Sequence, residues 1–257
     1  MIPDDLPASA SSAESISQTE RVVITLREML LRGDFRPGER LAELSLVPLL
    51  NASRTPVRLA LERLSHQGLL EALPSGGFRV REFTVAEIWD AIEIRGVLEG
   101  TAARFAAERL SSRDDLRDLC RSVEVLPALA PADLDGFTRY VEENTRFHRE
   151  LWRLAQSPTL ARALENVSSF PFAEPGALVF GGSQSAQEVH SHYSLLAAEQ
   201  HRAIVEAIGN REGTRAESLA REHSRMARRN LEWALKNRDV LSQLPGASLI
   251  SRSDWPE

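Results

Sequence analysis

Three of the six histidines have spacing suited to chemistry, because each falls on the apolar face of a different predicted helix. His148, His201 and His223 recur among aliphatic residues at helical intervals, so all three are expected to point into a helical core. Asn144 lies one turn before His148 on the same face. Imidazole is the commonest metal ligand, and ligands from different helices converge inside bundles. The pattern leaves two interpretations open, a metal site and three ordinary buried histidines that are each bonded to a neighbour.

A second group of residues has the types and spacing for contact with DNA. Arg54 and Arg58 are four residues apart and share one face of a predicted helix that runs to His66. Arginine can contact guanine O6 and N7 together in the major groove. Ser53 and Thr55 could donate to a phosphate where the helix start also offers unpaired N–H groups. The alternative is a face that carries its arginines only because it is solvated.

The elements around this helix predict a winged helix-turn-helix domain over residues 18–83. Three helices and then two strands are expected, over 18–33, 41–50, 54–66, 69–73 and 78–81. The turn between the strands contains Gly76 and Gly77, which would let the tip of this β-hairpin wing approach a phosphate or the minor groove closely. Arg79 lies beside that tip. Three helices followed by a hairpin wing is the order of a winged helix.

Pro48 lies inside the second predicted helix. A proline there removes a backbone hydrogen bond, and its ring crowds the preceding turn. We therefore expect a kinked or shortened second helix, with altered contacts to a DNA backbone.

The rest of the chain predicts helices only. Thr84 and Glu87 form a capping box at the start of a long helix, and further periodic segments follow it. The expected organisation is a disordered leader over 1–17, the winged domain, an all-helical bundle of six or seven helices over 84–238, and a tail over 239–257. The predicted fold class is therefore mainly α.

Charge and composition limit the possible functions. The formal net charge is −6, but residues 18–83 carry ten arginines against eight acids, so this part is about +2 and the remainder about −8. We call residues 18–83 the head and the helical remainder the body. A mildly basic head on an acidic body is compatible with DNA binding by the head alone. The chain has one cysteine, Cys120, which favours a cytoplasmic protein, and no apolar stretch that predicts a membrane span.

The N-terminal motifs resemble those of the GntR superfamily of regulators, and the helical remainder resembles the effector-binding and dimerisation domain of its FadR branch, the FCD domain. The resemblance covers about residues 18–238. The segments that carry it are Phe35-Arg36-Pro37-Gly38-Glu39-Arg40-Leu41, Ser53-Arg54-Thr55-Pro56-Val57-Arg58, Leu61-Glu62-Arg63-Leu64, Gly68-Leu69-Leu70 and Gly76-Gly77-Phe78-Arg79-Val80.

This resemblance implies roles for particular residues at the head. Arg54, Thr55 and Arg58 match residues that contact DNA, and Gly76 and Gly77 match wing glycines that touch the minor groove. The matching proteins bind operator DNA as homodimers.

In the helical domain the resemblance implies a divalent metal held by an Asp-x-x-x-His pair and two later histidines. The matches are His148, His201 and His223, with Asn144 where aspartate is usual. Arg95 matches an arginine that reaches the effector, although an intrahelical pair with Glu99 is the simpler interpretation of that arginine.

Asn144 changes the expected charge of the metal site. Its carbonyl is a neutral ligand, so the protein would leave the full 2+ charge on the ion and attract an anion strongly. Three histidines and one asparagine also leave coordination positions open. The prediction is a small carboxylate effector bound to the metal, and imidazole and amide ligands suit Zn, Ni, Co or Mn.

Together these features predict a DNA-binding repressor, released from a two-fold-related operator by a small organic acid. An activator would need the same DNA-binding domain and effector site, so activation is the other possible sign of regulation. One alternative is a metal-dependent hydrolase that uses the three histidines, although no motif places a general base beside them. Another is a regulator that binds its ligand without a metal, which the three histidines disfavour.

Overall fold

The structure is a computed structural model that describes residues 17–129, 134–175, 184–237, 241–242 and 244–255. The head contains α1 (Gln18–Arg32), β1 (Arg40–Leu41), α2 (Glu43–Leu49), α3 (Arg54–His66), β2 (Leu70–Ala72) and β3 (Phe78–Val80). The body contains α4 (Val85–Arg109), α5 (Arg117–Val125), α6 (Leu134–Leu154), α7 (Pro158–Val167), α8 (Gln184–Gly209) and α9 (Gly213–Leu235). The mainly α fold, with a winged helix-turn-helix followed by a helical bundle, is as predicted. Residues 1–16 of the predicted leader lie outside the described residues.

The helices of the head form because each can bury an apolar stripe. The Ser17 hydroxyl caps the first turn of α1, and Gly33, with φ 85°, ends that helix. On α3, the side chains of Val57, Leu61 and Leu64 are fully buried where this helix packs against α1. The opposite face of α3 is thereby directed towards solvent.

The sheet of the head contains one more strand than the predicted hairpin. Arg40–Leu41 pairs antiparallel with β3, and the strand order is β1-β3-β2. The second helix consequently begins at Glu43, so its predicted start at Leu41 is wrong by two residues. A two-residue strand is too short to show an alternating pattern, and its pairing with Phe78 and Arg79 is a long-range contact that local spacing does not reveal.

Pro48 lies inside α2, which is shorter than the predicted helix. The helix covers only Glu43–Leu49, with Pro48 in its last turn. Because proline has no N–H to donate along the helix, the hydrogen-bond ladder weakens there. The chain then turns through Asn51, with φ 45°, and enters α3 after Ser53.

The tip of the wing requires glycine for its backbone conformation. Gly76 and Gly77 have φ of 83° and 85°, in the left-handed region that side chains disfavour. A Cβ at Gly76 would meet no atom within 4 Å, so conformation rather than space selects glycine there. The Gly76 N–H donates to the Leu73 carbonyl at 2.9 Å and closes the turn. A close approach of this tip to DNA stays a prediction.

The body is organised around α4 and α9. The predicted capping box is present at the start of α4, where the Glu87 N–H donates to Thr84 Oγ1 at 3.2 Å. Gly96 and Gly100 face α9, and a Cβ at Gly100 would lie 2.6 Å from Arg221 Cγ. The two helices can approach this closely only because both positions lack a side chain.

The predicted tail packs against the head. Phe83 and Ile250 form an isolated parallel bridge, and the Gly246 N–H donates to the Leu31 carbonyl at 2.6 Å. Leu249 and Ile250 are buried in the same apolar cluster as the core of the head. The Val85 N–H, at the start of α4, donates to Asp254 Oδ2 at 2.8 Å. The tail therefore holds the junction between head and body.

Two clusters of buried apolar side chains stabilise the molecule. One joins the head, the first turns of α4, the end of α9 and the tail, and the other lies within the body. In the part of the chain that the structure describes, no helix is both long and apolar enough to cross a bilayer.

Candidate metal centre and nucleic-acid interface

The three histidines come together in the interior of the body, each from a different helix. His148 is on α6, His201 on α8 and His223 on α9. The Nε2 atoms of His201 and His223 are 2.9 Å apart, and those of His223 and His148 are 3.4 Å apart. All three side chains are buried. The side chains lie where their spacing predicted, whereas metal binding by them stays a prediction.

Hydrogen bonds behind two of the rings fix their tautomers. His148 Nδ1 lies 2.7 Å from Glu99 Oε1, and an ionised carboxylate can only accept, so Nδ1 carries the proton. His223 Nδ1 lies 2.9 Å from the amide oxygen of Gln200, so this nitrogen also donates. The Nε2 lone pairs of both rings then face the same point. Two lone pairs 3.4 Å apart in a buried place favour a positive charge between them.

Glu99 is a buried carboxylate that accepts several hydrogen bonds. Besides His148, the indole N–H of Trp152 donates to it at 3.2 Å and the hydroxyl of Ser224 at 3.0 Å. Burial acts to raise the pKa of Glu99, but His148 and Arg95 beside it outweigh burial and hold that pKa below its usual range. Glu99 therefore stays ionised and orients the His148 ring.

Burial keeps two of the imidazoles neutral. It lowers the pKa of His201 well below the usual value, and the neighbouring His223 and His148 lower it further. Burial also lowers the pKa of His223 to about 3. Because metals bind the neutral ring, both side chains are in their ligating form at neutral pH.

The separations of the ring nitrogens fit a divalent metal. A metal–nitrogen distance of about 2.1 Å places two ligands about 3.0 Å apart at a right angle and about 3.4 Å apart in a tetrahedron. The observed separations are 2.9 and 3.4 Å. Among the described groups of metal-ligating side chains, His148, His201 and His223 are the cluster that could hold an ion. The Glu99 and Gln200 contacts resemble the outer hydrogen bonds that orient ligating histidines in metal sites.

A small cavity of about 40 Å³ is lined by two of the three histidines, His148 and His223, and Asn144 and Arg95 also line it. Asn144 Nδ2 donates to the Pro175 carbonyl at 2.8 Å, which leaves its amide oxygen as the atom able to ligate. Arg95 is buried, donates to the Ala173 carbonyl at 2.7 Å, and has its Nε 3.7 Å from Glu99 Oε2. Both side chains lie at the predicted place, and their roles stay predictions.

The predicted DNA contacts form an exposed surface on the head. Ser53, Arg54, Thr55 and Arg58 are exposed at the start of α3, and the Ser53 hydroxyl caps no helix N–H. At the wing, Gly76 and Arg79 are exposed and Gly77 is half-buried. These residues are accessible to DNA, and each contact stays a prediction.

Each of the three predicted DNA-contacting arginines lies beside an acid. The pairs are Arg54–Glu43 at 3.8 Å, Arg58–Glu62 at 3.0 Å and Arg79–Glu71 at 2.7 Å. Exposed pairs of this kind contribute about 0–1 kcal/mol, so phosphates and base edges can displace the acids. The acids lower the positive charge that the head presents before it binds.

One segment joins the surroundings of the cavity to the head, and we name residues 169–175 the connecting segment. At its start the Ser169 hydroxyl lies 2.8 Å from the Gln67 carbonyl, just after α3, and 2.6 Å from the Asn166 carbonyl, and these two acceptors share its single proton. The Phe170 ring packs edge-on against Phe83, with centroids 5.6 Å apart. The segment is thus attached to the head at two points.

The other end of the connecting segment supplies the carbonyls that accept from Arg95 and Asn144. Between its two ends, Phe172 has φ 60°, an uncommon conformation for a bulky residue. Residues held this way persist only where their surroundings fix them, and they recur at switch regions. The segment offers a direct structural connection between cavity and head.

Sequence reasoning missed several participating residues. The contact of Glu99 with His148 was not predicted, and no role was given to Gln200 or Arg40. Arg40 donates to the Gly76 carbonyl at 2.7 Å and supports the wing. The i,i+4 spacing of Arg95 and Glu99 was a signal for one buried charge pair, but the Gln200 and Arg40 contacts depend on long-range geometry.

A winged helix-turn-helix joined to a helical bundle defines the chain as a DNA-binding transcriptional regulator. Residues 18–80 match the family described as bacterial regulatory proteins, gntR family, and residues 90–226 match the FCD domain. The chain belongs to the GntR family and carries an FCD domain, as the motifs predicted.

Several known proteins are similar to this chain. The Nta operon transcriptional regulator of Aminobacter aminovorans is 29% identical over 65% of this chain and 77% of its own length. The probable D-xylose utilization operon transcriptional repressor of Paenarthrobacter nicotinovorans is 32% identical over 52% of this chain and 58% of its own length. The galactonate operon transcriptional repressor of Escherichia coli is 25% identical over 80% of this chain and 93% of its own length.

Among solved structures, that of E. coli McbR/YncC has a TM-score of 0.62 and 22% identity, and the match covers 87% of this chain and all of that one. This likeness supports the fold. The family and the relatives reported above are regulators, so the comparisons lend no support to the hydrolase alternative.

Proposed function

We propose that this regulator is a repressor, released from its operator by a small carboxylate that binds beside a divalent metal in the body. The observation that carries the proposal is the convergence of the Nε2 atoms of His148, His201 and His223 beside a cavity that Arg95 lines. Two relatives are named as repressors, of a D-xylose utilization operon and of a galactonate operon, which supports the sign of the regulation.

The three histidines would hold the metal, with Asn144 as a fourth ligand. When bound, the ion supplies a positive charge and a Lewis acid to which a carboxylate can attach. Because all four ligands are neutral, none of them reduces that charge directly, and the ionised Glu99 lies one shell further out, behind His148 and beside Arg95, which lines the cavity. Zn, Ni, Co and Mn all suit this set of ligands.

At the head, Arg54 and Arg58 would contact base edges, while Ser53 and Thr55 bind phosphate. The wing, through Gly76, Gly77 and Arg79, would follow the adjacent backbone or minor groove. This division follows the rule that base contacts specify a site and phosphate contacts position the protein. Disruption of the surface pairs with Glu62 and Glu71 would accompany binding.

We further propose that two chains pair through their bodies, which places two heads on a two-fold-related operator. On α4, Ile94 and Val97 expose 53% and 40% of their surfaces, which is consistent with a covering partner. An effector that binds two arrangements of the dimer unequally would shift the population between them and so change DNA affinity.

The DNA part of the proposal is tested with a duplex selected from a random library by the full chain. We expect Arg58→Ala to weaken binding of that duplex about tenfold or more, because one bidentate base contact contributes roughly 1–3 kcal/mol. Arg146→Ala, at an exposed arginine of α6, is the control and should bind as the wild type does. Equal binding by Arg58→Ala would contradict the assignment.

The metal part is tested by titrating metal-free protein with Zn, Ni, Co and Mn and measuring bound metal by elemental analysis. We expect one ion per chain, lost in His201→Ala and retained in His66→Ala, whose histidine is exposed. An organic acid that releases the metal-loaded protein from DNA would complete the test. Absence of metal uptake by the folded wild type would overturn the proposal.

A further inference from the structure

A second cavity, of about 550 Å³, lies where the head meets the body. Its wall comes from α1 and α3 of the head, from α6 and α7 of the body, and from the connecting segment between them. None of the three histidines of the candidate metal centre lines it. A ligand bound here would therefore occupy a site of its own and touch head and body together.

Three arginines line this cavity from its two sides. Arg27 on α1 and Arg63 on α3 belong to the head, and Arg149 on α6 belongs to the body. Among the residues that the structure describes, no carboxylate forms an ion pair with any of the three. Like charges gathered around one space without such partners favour an anion in that space.

The remaining charges of the wall do not cancel these arginines. Arg153 also lines the cavity, but Glu150 pairs with it at 2.5 Å. Glu165 and Glu174 are the two acids of the wall, and both are exposed to solvent. Three unpaired arginines against two exposed acids leave the wall positive.

Arg27 carries a buried donor that lacks an acceptor. Its Nη2 donates to Gln67 Oε1 at 2.6 Å, but its Nε is buried and has no hydrogen-bond partner within the described ranges. Burial lowers the pKa of Arg27; Glu174 opposes this effect, and the nearby Arg63 and Arg149 add to it. Native proteins rarely leave a buried charged donor unsatisfied, so Arg27 marks the point at which a ligand oxygen can accept.

The chemistry of the wall indicates which anion fits. Each guanidinium presents a planar fork of donors, and such forks match the oxygens of a phosphate. Three guanidinium groups on different helices suit a phosphate, which has at least three terminal oxygens, better than a carboxylate, which has two. The volume of about 550 Å³ lies within the range of about 300–1,000 Å³ that is usual for small-molecule sites, so it has room for more than the phosphate alone.

We propose that this cavity binds a small phosphate monoester, with the phosphate held between Arg27 and Arg63 of the head and Arg149 of the body. Because both sides of the junction hold the ligand, it binds one arrangement of head and body better than others. The monoester is thereby a second input to DNA affinity, and it needs no metal.

The test is calorimetric titration of the full chain with ribose 5-phosphate, inorganic phosphate and ribose at constant ionic strength. We expect ribose 5-phosphate to bind at least tenfold more tightly than ribose, because only the ester carries the charged group. Inorganic phosphate should compete with it for the same site. The affinity for ribose 5-phosphate should be equal in metal-free and metal-loaded protein.

Three variants identify the arginines that hold the phosphate. Arg63→Gln and Arg149→Gln change exposed side chains, so both should fold, and each should weaken binding about tenfold. Arg27→Lys keeps the charge but has no Nε fork, and it should weaken binding similarly. The matched control is Arg146→Gln, at an exposed arginine of α6 that does not line the cavity, and it should bind as the wild type does.

Several results would overturn the proposal. Ribose and ribose 5-phosphate with equal affinity would show that the phosphate is not recognised. Wild-type affinity in either Arg63→Gln or Arg149→Gln would show that the ligand does not join head and body. A requirement for metal would place the ester at the histidines instead.

Operator titrations test the second input directly. Saturating ribose 5-phosphate, at constant ionic strength, should change the operator affinity of the wild type at least threefold and leave that of Arg149→Gln unchanged. An operator affinity that does not respond in the wild type would overturn this input.

Discussion

At the level of single residues, Glu99 organises the candidate metal centre although it is not expected to touch the ion. Its carboxylate accepts from His148, Trp152 and Ser224 and lies beside Arg95, so one side chain connects α4, α6 and α9. A carboxylate behind a ligating histidine fixes the ring and raises its basicity. Glu99 is in this sense a positioning residue.

Glu99→Gln should weaken metal binding about 10- to 100-fold while leaving the fold intact. The amide oxygen can still accept from His148, but the negative charge that strengthens the ring as a ligand is lost. Competition with a fluorescent zinc chelator would measure the change. Glu108→Gln, at an exposed position of the same helix, is the matched control, and equal affinity of the two variants would contradict the role of Glu99.

The buried imidazoles also predict how stability depends on pH. Below the usual histidine pKa of 6.5 and above the value of about 3 for His223, the unfolded chain binds a proton that the folded chain excludes. The free energy of unfolding should therefore fall as the pH falls below 6.5, by about 1.4 kcal/mol per pH unit for each of His201 and His223.

Urea unfolding of the metal-free protein between pH 5 and 6.5 would measure this slope, with Glu99 ionised in both states over that range. His223→Leu should reduce the dependence by one proton. A slope that is identical in wild type and variant would show that His223 is not buried in its neutral form.

The acids that pair with the predicted DNA-contacting arginines should limit binding to DNA. Glu62→Gln frees Arg58 and removes a negative charge from the DNA-binding surface, so affinity for random-sequence duplex should rise about two- to fivefold. Fluorescence anisotropy at two salt concentrations would measure the change, and the gain should shrink as salt increases. Glu165→Gln, on the body, serves as the control. No gain in Glu62→Gln would mean that the pair does not compete with DNA.

At the level of elements, the connecting segment offers a route from the cavity to α3, the helix that carries the predicted base contacts. Ser169→Ala removes the hydroxyl that is shared between the Gln67 and Asn166 carbonyls and so loosens the contact with the head, and the effect of metal loading on operator affinity should shrink about two- to fivefold. Ser168→Ala is a close control, because the buried Ser168 hydroxyl has no hydrogen-bond partner among the described residues. Operator titrations of each variant with and without metal measure the factor by which metal loading changes its operator affinity. The route is wrong if both variants keep the wild-type ratio.

Local sequence signals predicted most elements because those signals act within one turn. Thr84 and Glu87 identified the start of α4, and Gly33 identified the end of α1. The apolar spacing around the three histidines also placed their side chains correctly, since burial of a helix face follows from periodicity. β1 was missed because its pairing joins residues almost forty positions apart.

The features of the site that the sequence left open depend on distance between elements. Nothing near Gln200 in the chain indicates that its side chain reaches His223 on another helix, and nothing near Arg27 indicates that its Nε is buried without a partner among the described residues. A helical face is a local property, whereas a hydrogen bond between two faces requires their packing to be known.

At the level of the whole molecule, the tail joins head and body. Asp254→Ala should lower the free energy of unfolding by about 1 kcal/mol, because the Val85 N–H at the start of α4 loses its acceptor. Urea denaturation compared with Arg252→Gln, an exposed neighbour in the tail, would measure the loss. Equal stability of the two variants would show that the tail contact contributes nothing to the junction.

The close approach of α4 and α9 at Gly96 and Gly100 has a mechanical consequence. Between Gly100 and the head, α4 is a rod of about 22 Å, since fifteen residues rise about 1.5 Å each. A tilt of about 5° around that crossing displaces the end that carries the head by about 2 Å. In a symmetric pair the two α3 helices would then separate by up to about 4 Å, whereas the half-sites of an operator are a fixed distance of about 34 Å apart. If two chains pair as proposed, a sub-ångström adjustment near Arg95 would become a mismatch with the pitch of DNA.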